Sequence, residues 1–290
     1  MKPPPFAYHR PADVPAAARM LATLGEEVKV VAGGQSLIPL MNFRLAAPEH
    51  LVDVNHIGLD GIAMDGGEMV VGATVRQARL LADTDVAAVH PLVAEATGWI
   101  AHPVIRNRGT VCGSLAHGDP AAELPAVLAV LGGSVEAVAW RGGRLATRRV
   151  AAADLFVGPL DTSLATDELV VAARFPVLAE RTGWAVEELA RRQGDYALAG
   201  VVLTVTVDEA GAPVGGRAAF LSCAPTPAVL DLAPALAGDG DVYGLVAGTL
   251  DPTDDIHATA AYRRHLAATL AARGVDRALA RARERAEVPA

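Results

Sequence analysis

Two short segments of the chain carry the residue types that bind phosphate through the backbone. The first, residues 32–36 (Ala-Gly-Gly-Gln-Ser), lies between a β-branched stretch and a helical turn predicted from Leu37. Adjacent glycines can adopt positive φ and turn several N–H groups toward one point, and a helix N-terminus behind them attracts phosphate without a lysine. The Ser36 hydroxyl adds a donor. This segment is therefore a candidate phosphate-binding turn.

The second segment, residues 110–114 (Thr-Val-Cys-Gly-Ser), offers the Gly113 N–H group and the hydroxyls of Thr110 and Ser114. Two such turns together have the donors for a diphosphate cofactor. Neither matches the G-x-G-x-x-G pattern of dinucleotide-binding folds, and the chain contains no G-K-S/T sequence of a P-loop. Each turn taken alone is equally compatible with an ordinary tight turn, because glycine is common between strands and helices.

Other candidate residues have structural explanations on sequence alone. Asp119 precedes Pro120 in the pattern of a helix N-cap followed by proline. His117 and Asp119 are too few to hold a metal ion. The two cysteines, Cys112 and Cys223, are too few for an iron–sulfur cluster and too far apart in sequence for a disulfide framework. No catalytic triad or carboxylate dyad stands out.

The elements that must position these segments alternate between strand and helix before residue 176. Residues 28–31 and 51–54 are predicted strands on either side of the first segment, which makes a β-loop-α-β unit with a glycine-rich turn. Consecutive strands and then helices are predicted beyond a boundary near residues 176–182, which indicates an α+β domain. The 290 residues, 52% of them hydrophobic, suffice for one sizeable core or several smaller ones.

Three local predictions bear on the candidate segments. The sequence from Thr74 to Gln77 matches a capping box, which predicts a helix from Val75. Asp119-Pro120 predicts a helix that runs to Gly132. The consecutive strands are predicted over residues 184–190, 200–207 and 217–222, and the last helix over residues 259–286.

Charge and composition exclude several classes of function. A formal charge of -8 disfavours non-specific binding to nucleic acid or to an anionic membrane. No apolar run approaches the ~18 residues that a spanning helix requires, and the first residues lack the apolar core of a signal peptide. The expected location is the cytoplasm.

Together with their flanks, the two segments resemble a known family. Residues 31–44 resemble the first FAD motif of the medium subunits of the carbon monoxide dehydrogenase and xanthine dehydrogenase family, the molybdenum hydroxylases. Residues 105–125 resemble the second FAD motif, and residues 194–197 and 261–266 are similar to the family's C-terminal domain. The resemblance extends over nearly the whole chain.

The resemblance implies a fold with three parts. Residues 1–57 and 58–176 would be the two subdomains of an α+β FAD-binding fold of the vanillyl-alcohol-oxidase (PCMH) type. Residues 177–290 would form a C-terminal α+β domain with a three-stranded antiparallel sheet and helices.

The resemblance also implies cofactor-binding residues, and it implies no catalytic or metal-binding residue on this chain. The first segment and the second segment would cradle the FAD diphosphate. Asp119 and Glu123 would reach the ribityl chain or the ring edge. Leu169 would lie at the adenine end, and Tyr196 and Ile100 would lie beside the isoalloxazine. The residues of the two segments are Ala32, Gly33, Gly34, Gln35, Ser36 and Leu37, and Thr110, Cys112, Gly113 and Ser114.

Two residues depart from the family pattern. Cys112 stands where the family usually has a glycine, so that position must tolerate a side chain or the loop must shift. Glu188 stands where many relatives carry lysine, and no role is transferred to it.

The function that the resemblance implies is electron transfer. FAD on this chain would receive electrons from [2Fe-2S] clusters on a small iron–sulfur subunit, after a molybdenum–pterin cofactor on a large molybdopterin subunit has oxidised the substrate. The subunits would assemble as a dimer of heterotrimers. Two alternatives stay open: a self-sufficient FAD-dependent oxidoreductase, and a scaffold that has lost the flavin, for which Cys112 is the reason. The substrate and the electron acceptor are not determined by this sequence.

Overall fold

The structure of the protein is a computed structural model that describes residues 2–237 and 240–287. Within these ranges the chain forms three successive parts, each built on its own β-sheet, and a two-stranded ribbon. Helices and strands are mixed in all three parts, as predicted. No helix in the described ranges combines the length and the apolar character that crossing a membrane requires.

The first part is a parallel sheet packed against one helix. Its elements are β1 (Ala7–His9), α1 (Val14–Leu24), β2 (Val28–Val31), α2 (Leu37–Asn42) and β3 (His50–Asp53). The strand order is β1–β3–β2. Asp13 caps α1 by accepting a hydrogen bond from the Ala16 N–H group at 2.7 Å, and Gly25, at φ 69°, ends α1.

One edge of this sheet positions the first candidate segment. β2 and β3 are parallel and in register, with Val31 opposite Asp53. Because both strands end at the same edge, residues 32–36 and the residues after β3 leave the sheet side by side. The Val54 N–H group donates to the Val31 carbonyl at 3.1 Å and extends this pairing toward the segment.

The second part contains a five-stranded antiparallel sheet in the order β4–β5–β10–β6–β7. The strands of this part are β4 (Ile62–Asp65), β5 (Glu68–Gly72), β6 (Ser134–Arg141), β7 (Arg144–Ala151), β8 (Phe156–Gly158), β9 (Asp161–Thr162) and β10 (Leu169–Pro176). Of these, β8 and β9 form the separate two-stranded ribbon. The helices are α3 (Gln77–Ala82), α4 (Thr84–Val89), α5 (Pro91–Trp99), α6 (Pro103–Arg106), α7 (Val111–His117), α8 (Glu123–Leu131) and α9 (Ala152–Leu155).

The described residues of the third part form four strands and three helices. They are β11 (Thr182–Leu189), β12 (Ala199–Val207), β13 (Pro213–Leu221), β14 (Ala228–Asp231), α10 (Ala233–Leu236), α11 (Val242–Thr249) and α12 (Ala260–Glu287). The predicted three-stranded sheet is wrong, because the antiparallel sheet has four strands in the order β11–β12–β13–β14. The fourth is a short edge strand after Pro225 and Pro227, and four residues give too little alternation to identify a strand.

Helix α8 joins the second and third parts. All residues from Leu124 to Val130 are buried, and α8 packs against β10 on one side and against β12 and β13 on the other. One hydrophobic cluster therefore includes Val127 of α8 together with Val202 and Leu221 of the third part.

Residues 110–114 do not form the second glycine-containing turn that the sequence predicts. Thr110 is the N-cap of α7, and Gly113 lies inside the first turn of that helix. A serine or threonine is a common residue just before the start of a helix. In this segment Thr110 is such a cap, but the glycine at position 113 favours a turn over a helix in the sequence pattern.

The predicted capping box at Thr74 is also wrong. Helix α3 begins at Gln77, and Arg76 before it is extended. The Val111 N–H group donates to the Val75 carbonyl at 3.2 Å, so this stretch pairs with the chain before α7 instead of entering the helix.

Asp119 does not cap the helix that follows it. Its carboxylate accepts from the Ala121 N–H group at 2.9 Å, and its carbonyl accepts from Ala122 at 3.1 Å. These bonds close a local turn, so α8 begins only at Glu123 and then ends at Gly132, as predicted.

Helix α12 approaches the third sheet through small residues. Ala278 and Ala282 are fully buried, and a Cβ atom at Gly183 of β11 would overlap the Ala278 carbonyl oxygen. The close approach of helix and strand therefore depends on glycine at this position.

We expect Gly183→Ala to lower the free energy of unfolding by about 1–3 kcal/mol, because α12 or β11 must shift to admit the methyl group. Gly215→Ala is the matched control, since a Cβ atom at this position of the same sheet meets nothing within 4 Å. Urea unfolding followed by circular dichroism measures both variants. Equal stability of the two would contradict the packing described for α12.

Candidate functional site

The first candidate segment contacts the chain immediately before the second. A Cβ atom at Gly33 would lie 2.5 Å from the Arg108 carbonyl oxygen and 2.8 Å from the Gly109 Cα atom. The neighbouring Gly34 has φ +70°, a backbone conformation that glycine adopts at little cost. The first segment therefore passes over the chain that leads into Thr110, and only glycine at position 33 permits that approach.

The first segment presents a row of free backbone donors. Within the described part of the chain, the N–H groups of residues 33–37 donate no hydrogen bond to a protein acceptor. The helix behind them is formed normally, with the Ile38 N–H group donating to the Gly34 carbonyl at 3.1 Å. The Gln35 amide donates to the Gly33 carbonyl at 3.0 Å and stiffens the turn. This arrangement suits an anion that accepts several N–H groups at once.

The second segment has fewer free donors than the sequence suggests. The Gly113 N–H group is already used, because it donates to the Thr110 hydroxyl oxygen at 3.0 Å. The Ser114 N–H group donates to the Thr110 carbonyl at 3.2 Å. Among the described hydrogen bonds, the N–H groups of Thr110 and Cys112 have no acceptor, and the Ser114 hydroxyl adds a third donor.

The Cys112 side chain lies in the hydrophobic core. Its sulfur is 3.5 Å from the Val71 carbonyl oxygen of β5, and the residue is 2% exposed. Burial raises the pKa of its thiol to about 12, so the thiol is neutral and unreactive. The thiol is directed toward β5 and does not occupy the space between the two segments.

Two residues that sequence reasoning did not single out connect the segments. Asn55 follows β3 and donates to the Ala32 carbonyl at 2.8 Å. Arg76 donates to the Asn55 side-chain oxygen at 2.6 Å and to the Arg108 carbonyl. The position of Asn55, just after a parallel strand that ends beside residues 32–36, is the signal that identifies it.

Asp119 and Tyr196 lie on one cavity. This cavity, of about 1030 Å³, opens between the second and third parts, and Arg191 and Arg263 also line it. Tyr196 belongs to the loop between β11 and β12 and is 67% exposed. Neither candidate segment lines the cavity. The predicted site residues therefore lie in two places, some at the two segments and others at this open cavity.

A second cavity, of about 730 Å³, lies beside the loop that carries Gly194. Glu188, His102 and Arg106 line it. A Cβ atom at Gly194 would lie 2.5 Å from the His102 ring, so this loop packs tightly against the second part.

Two carboxyl groups, those of Glu123 and Glu188, are shifted toward the neutral form. Burial raises the pKa of Glu188 to about 8, and the nearby charge of Glu123 adds to the rise. Burial also raises the pKa of Glu123 to about 7, with Asp119 adding to the rise and Arg106 opposing it. Near neutral pH this pair of glutamates therefore holds a proton.

Ile100 and Leu169 have buried side chains. Ile100 ends α5, is 9% exposed and packs in the core of the second part. Leu169 begins β10, is 3% exposed and belongs, with Ala17 and Leu21 of α1, to the hydrophobic cluster that joins the first two parts. Either residue would contact a ligand mainly through its backbone.

The described residues contain no group of three or more histidine, cysteine, aspartate or glutamate side chains arranged to hold a metal ion.

Two family models match most of the chain. Residues 4–178 match the FAD binding domain in molybdopterin dehydrogenase, and residues 184–278 match the CO dehydrogenase flavoprotein C-terminal domain.

Known proteins are similar over almost their full length. The 6-hydroxypseudooxynicotine dehydrogenase complex subunit alpha of Paenarthrobacter nicotinovorans is 39% identical, over 98% of this chain and 97% of its own. The carbon monoxide dehydrogenase medium chain of Afipia carboxidovorans is 37% identical, over 98% of this chain and 100% of its own. A chain in the structure of reconstituted CO dehydrogenase from Oligotropha carboxidovorans has a TM-score of 0.90 and 37% identity, covering 97% of this chain and 100% of its own.

We expect neither cysteine to react with a thiol reagent such as DTNB in the folded protein at about pH 8, because both are buried and protonated. Burial raises the pKa of Cys223 as well as that of Cys112 to about 12. Absorbance after DTNB addition measures the reaction, and denaturation in guanidinium chloride is the control that releases both thiols. Rapid reaction of a thiol before denaturation would contradict the burial described for that cysteine.

Glu188→Gln should stabilise the protein more at about pH 9 than at about pH 5. The folded chain holds the Glu188 proton up to a pKa of about 8, whereas an unfolded glutamate loses it near about 4.3. Stability contributed by this group is therefore present at low pH and is lost as pH rises through about 8. The neutral amide has no such dependence.

Thermal unfolding at both pH values measures this effect. Glu209→Gln is the matched control, because the Glu209 side chain is 88% exposed. The same change in melting temperature for Glu188→Gln at both pH values would show that Glu188 is not held protonated.

Proposed function

The chain belongs to the family of FAD-binding subunits of molybdopterin dehydrogenases, and on that premise we propose that it binds FAD between residues 32–37 and 110–114 and carries electrons within an oxidoreductase complex. It would receive them from iron–sulfur clusters of a partner subunit and pass them to an external acceptor. The observation that carries this proposal is the contact of Gly33 with Arg108 and Gly109 beside a row of free N–H groups.

The donors present fit a diphosphate. A diphosphate is a double anion with several acceptor oxygens, and backbone N–H groups that converge on a turn bind such groups without a cationic side chain. The N–H groups of residues 33–37 would take one phosphate. The Cys112 N–H group and the hydroxyls of Thr110 and Ser114 would take the other, with Gly113 allowing close approach of the helix backbone.

The remaining residues would position the rest of the cofactor. Asp119 and Glu123 would accept hydrogen bonds from the ribityl chain or the ring edge, and Tyr196 would cover the isoalloxazine from the large cavity. Ile100 and Leu169 would contribute backbone contacts at the ring and at the adenine end. Bound FAD supplies redox chemistry in steps of one or two electrons, and the residues of this chain bind, orient and shield it.

A protonated carboxyl pair would suit the ring end of the site. Because Glu123 and Glu188 share less than two negative charges near neutral pH, they add little repulsion next to a flavin that becomes more negative when it is reduced. Glu188 would in this way replace the lysine that stands in many relatives without making the site strongly negative.

The proposed assembly is a multi-subunit complex in the cytoplasm. Similar proteins are named as a complex subunit and as a medium chain. The proposed partners are a small subunit with [2Fe-2S] clusters and a large subunit with the molybdenum–pterin cofactor, in a dimer of heterotrimers. Within this chain we propose two FAD-binding subdomains, residues 1–57 and 58–176, and a C-terminal domain, residues 177–290. The two free buried cysteines suit a reducing compartment.

A scaffold without flavin is less well supported than an FAD-binding subunit. The Cys112 side chain would favour such a scaffold only if it blocked the loop. The Cys112 sulfur lies in the core against Val71, so the donors of the second segment are not obstructed by it.

We expect Gly33→Ala to weaken FAD binding by about 10- to 100-fold, because the new methyl group pushes the first segment away from Arg108. Titration of the flavin-free chain with FAD, followed by quenching of flavin fluorescence, measures the affinity. Gly61→Ala is the matched control, since a Cβ atom there meets nothing within 4 Å.

The unchanged chain should bind FAD and show the visible absorption of oxidised flavin. A folded chain that takes up no FAD would overturn the proposed function. Equal affinity of the Gly33→Ala and Gly61→Ala variants would overturn the assignment of the cofactor to the contact between these two segments.

A further inference from the structure

A chain of polar side chains runs from the first sheet to the second candidate segment. It begins at Tyr8 on β1, whose hydroxyl donates to the Asp53 carboxylate at 2.5 Å. Asp53 ends β3, and its other carboxylate oxygen accepts from the Asn55 backbone N–H group at 2.8 Å and from the Asn55 side chain at 2.6 Å. Asn55 is thus held in one orientation by the end of the parallel sheet.

Asn55 faces both segments from that position. Its amide nitrogen also donates to the Ala32 carbonyl at 2.8 Å, next to Gly33, and its oxygen accepts from the Arg76 guanidinium at 2.6 Å. The three hydrogen bonds of the Asn55 side chain are therefore made with Asp53 at the end of β3, with Ala32 of the first segment and with Arg76. An alanine at this position would leave the Ala32 carbonyl and the guanidinium without this partner.

Arg76 completes the link to the second segment. One guanidinium nitrogen donates to Asn55 and the other donates to the Arg108 carbonyl, the same oxygen that lies closest to Gly33. Its backbone also forms an isolated antiparallel bridge with Thr110. Two of the five N–H donors of Arg76 are used in this way, so its guanidinium is tied both to Asn55 and to the chain before the second segment.

From these contacts we infer that Asn55 and Arg76 are positioning residues, which set the spacing of the two segments that cradle the diphosphate. The inference rests on the proposed function. Residues 32–36 follow a strand of the parallel sheet, and residues 108–110 belong to another part of the chain. The distance between these two stretches is therefore not fixed by either of them alone. Asn55 and Arg76 tie the Ala32 carbonyl of the first segment and the Arg108 carbonyl, two residues before the second segment, to a common hydrogen-bonded unit. A hydrogen bond from a charged group is stronger than one between neutral groups.

A ligand that needs both rows of donors depends on this spacing. Binding is weakened when the protein must spend free energy to bring donors into place, because only the surplus appears as affinity. Loss of the link should therefore reduce FAD affinity more than it reduces the stability of the flavin-free chain.

The test compares FAD affinity and thermal stability of the flavin-free full-length chain in five variants. Arg76→Gln should weaken FAD binding by about 10- to 100-fold, and Asn55→Ala should do so to a similar extent. The melting temperature of the flavin-free chain should change little in comparison. Arg76→Lys keeps a positive donor with less reach, and it should have intermediate affinity.

Arg79→Gln is the matched control. Arg79 lies on α3, one turn beyond Arg76, and it donates to the Asp60 carbonyl, away from both segments. We expect the FAD affinity of this variant to equal that of the unchanged chain. An equal loss in Arg76→Gln and Arg79→Gln would mean that any arginine removed from this helix has the effect, and it would overturn the inference.

The double variant Asn55→Ala/Arg76→Gln separates a shared unit from two independent contacts. If the two residues act together, the FAD affinity of the double variant should be close to that of whichever single variant binds FAD more weakly. A loss equal to the product of the single losses would overturn the inference, and so would FAD affinity of Arg76→Gln within about twofold of the unchanged chain. Because Asn55→Ala breaks the link from the other side, the result does not depend on the folding of one variant.

The two proposals fail in different ways. An unchanged chain that binds no FAD overturns the proposed function and this inference with it. An unchanged chain that binds FAD, with Arg76→Gln and Asn55→Ala binding it equally well, overturns only the positioning role.

Discussion

The contact between Gly33 and the backbone of Arg108 and Gly109 is the constraint on which the candidate site depends. It joins a loop that leaves a parallel sheet to a segment that precedes a helix in another part of the chain. Any side chain at position 33 would separate them. Because the free N–H groups lie directly beside this contact, the two segments would form one surface for an anion in the proposed site. The other candidate residues would need only to be held at a suitable distance from it.

The elements with local signals could be predicted from the sequence. Strand β2 is a β-branched run, α1 ends at Gly25, and the long α12 has a regular apolar period, so each is recognisable without knowing its neighbours. The glycine pair at positions 33 and 34 likewise indicated a phosphate-binding turn. That this turn meets the second segment was implied by the family resemblance, because no single turn predicts which distant backbone it contacts.

The features that the sequence did not predict depend on contacts between distant residues. Val75 pairs with Val111, and this pairing moved the start of α3 away from the apparent capping box. Whether the thiol of Cys112 faced a ligand or the core was decided by the packing of α7 on β5. Asn55 and Arg76 could not be recognised as a unit, because their connection is made through side chains from two different parts of the fold.

Helix α8 has a consequence for motion, because it is enclosed by two sheets at once. A helix that serves as the common core of neighbouring domains does not allow them to hinge apart without exposing its apolar surface to water. The second and third parts should accordingly move and melt as a single cooperative body. A redox group held by that body would keep a constant tunnelling distance to whatever docks on either side, so electron flow would be governed by docking geometry and not by domain closure.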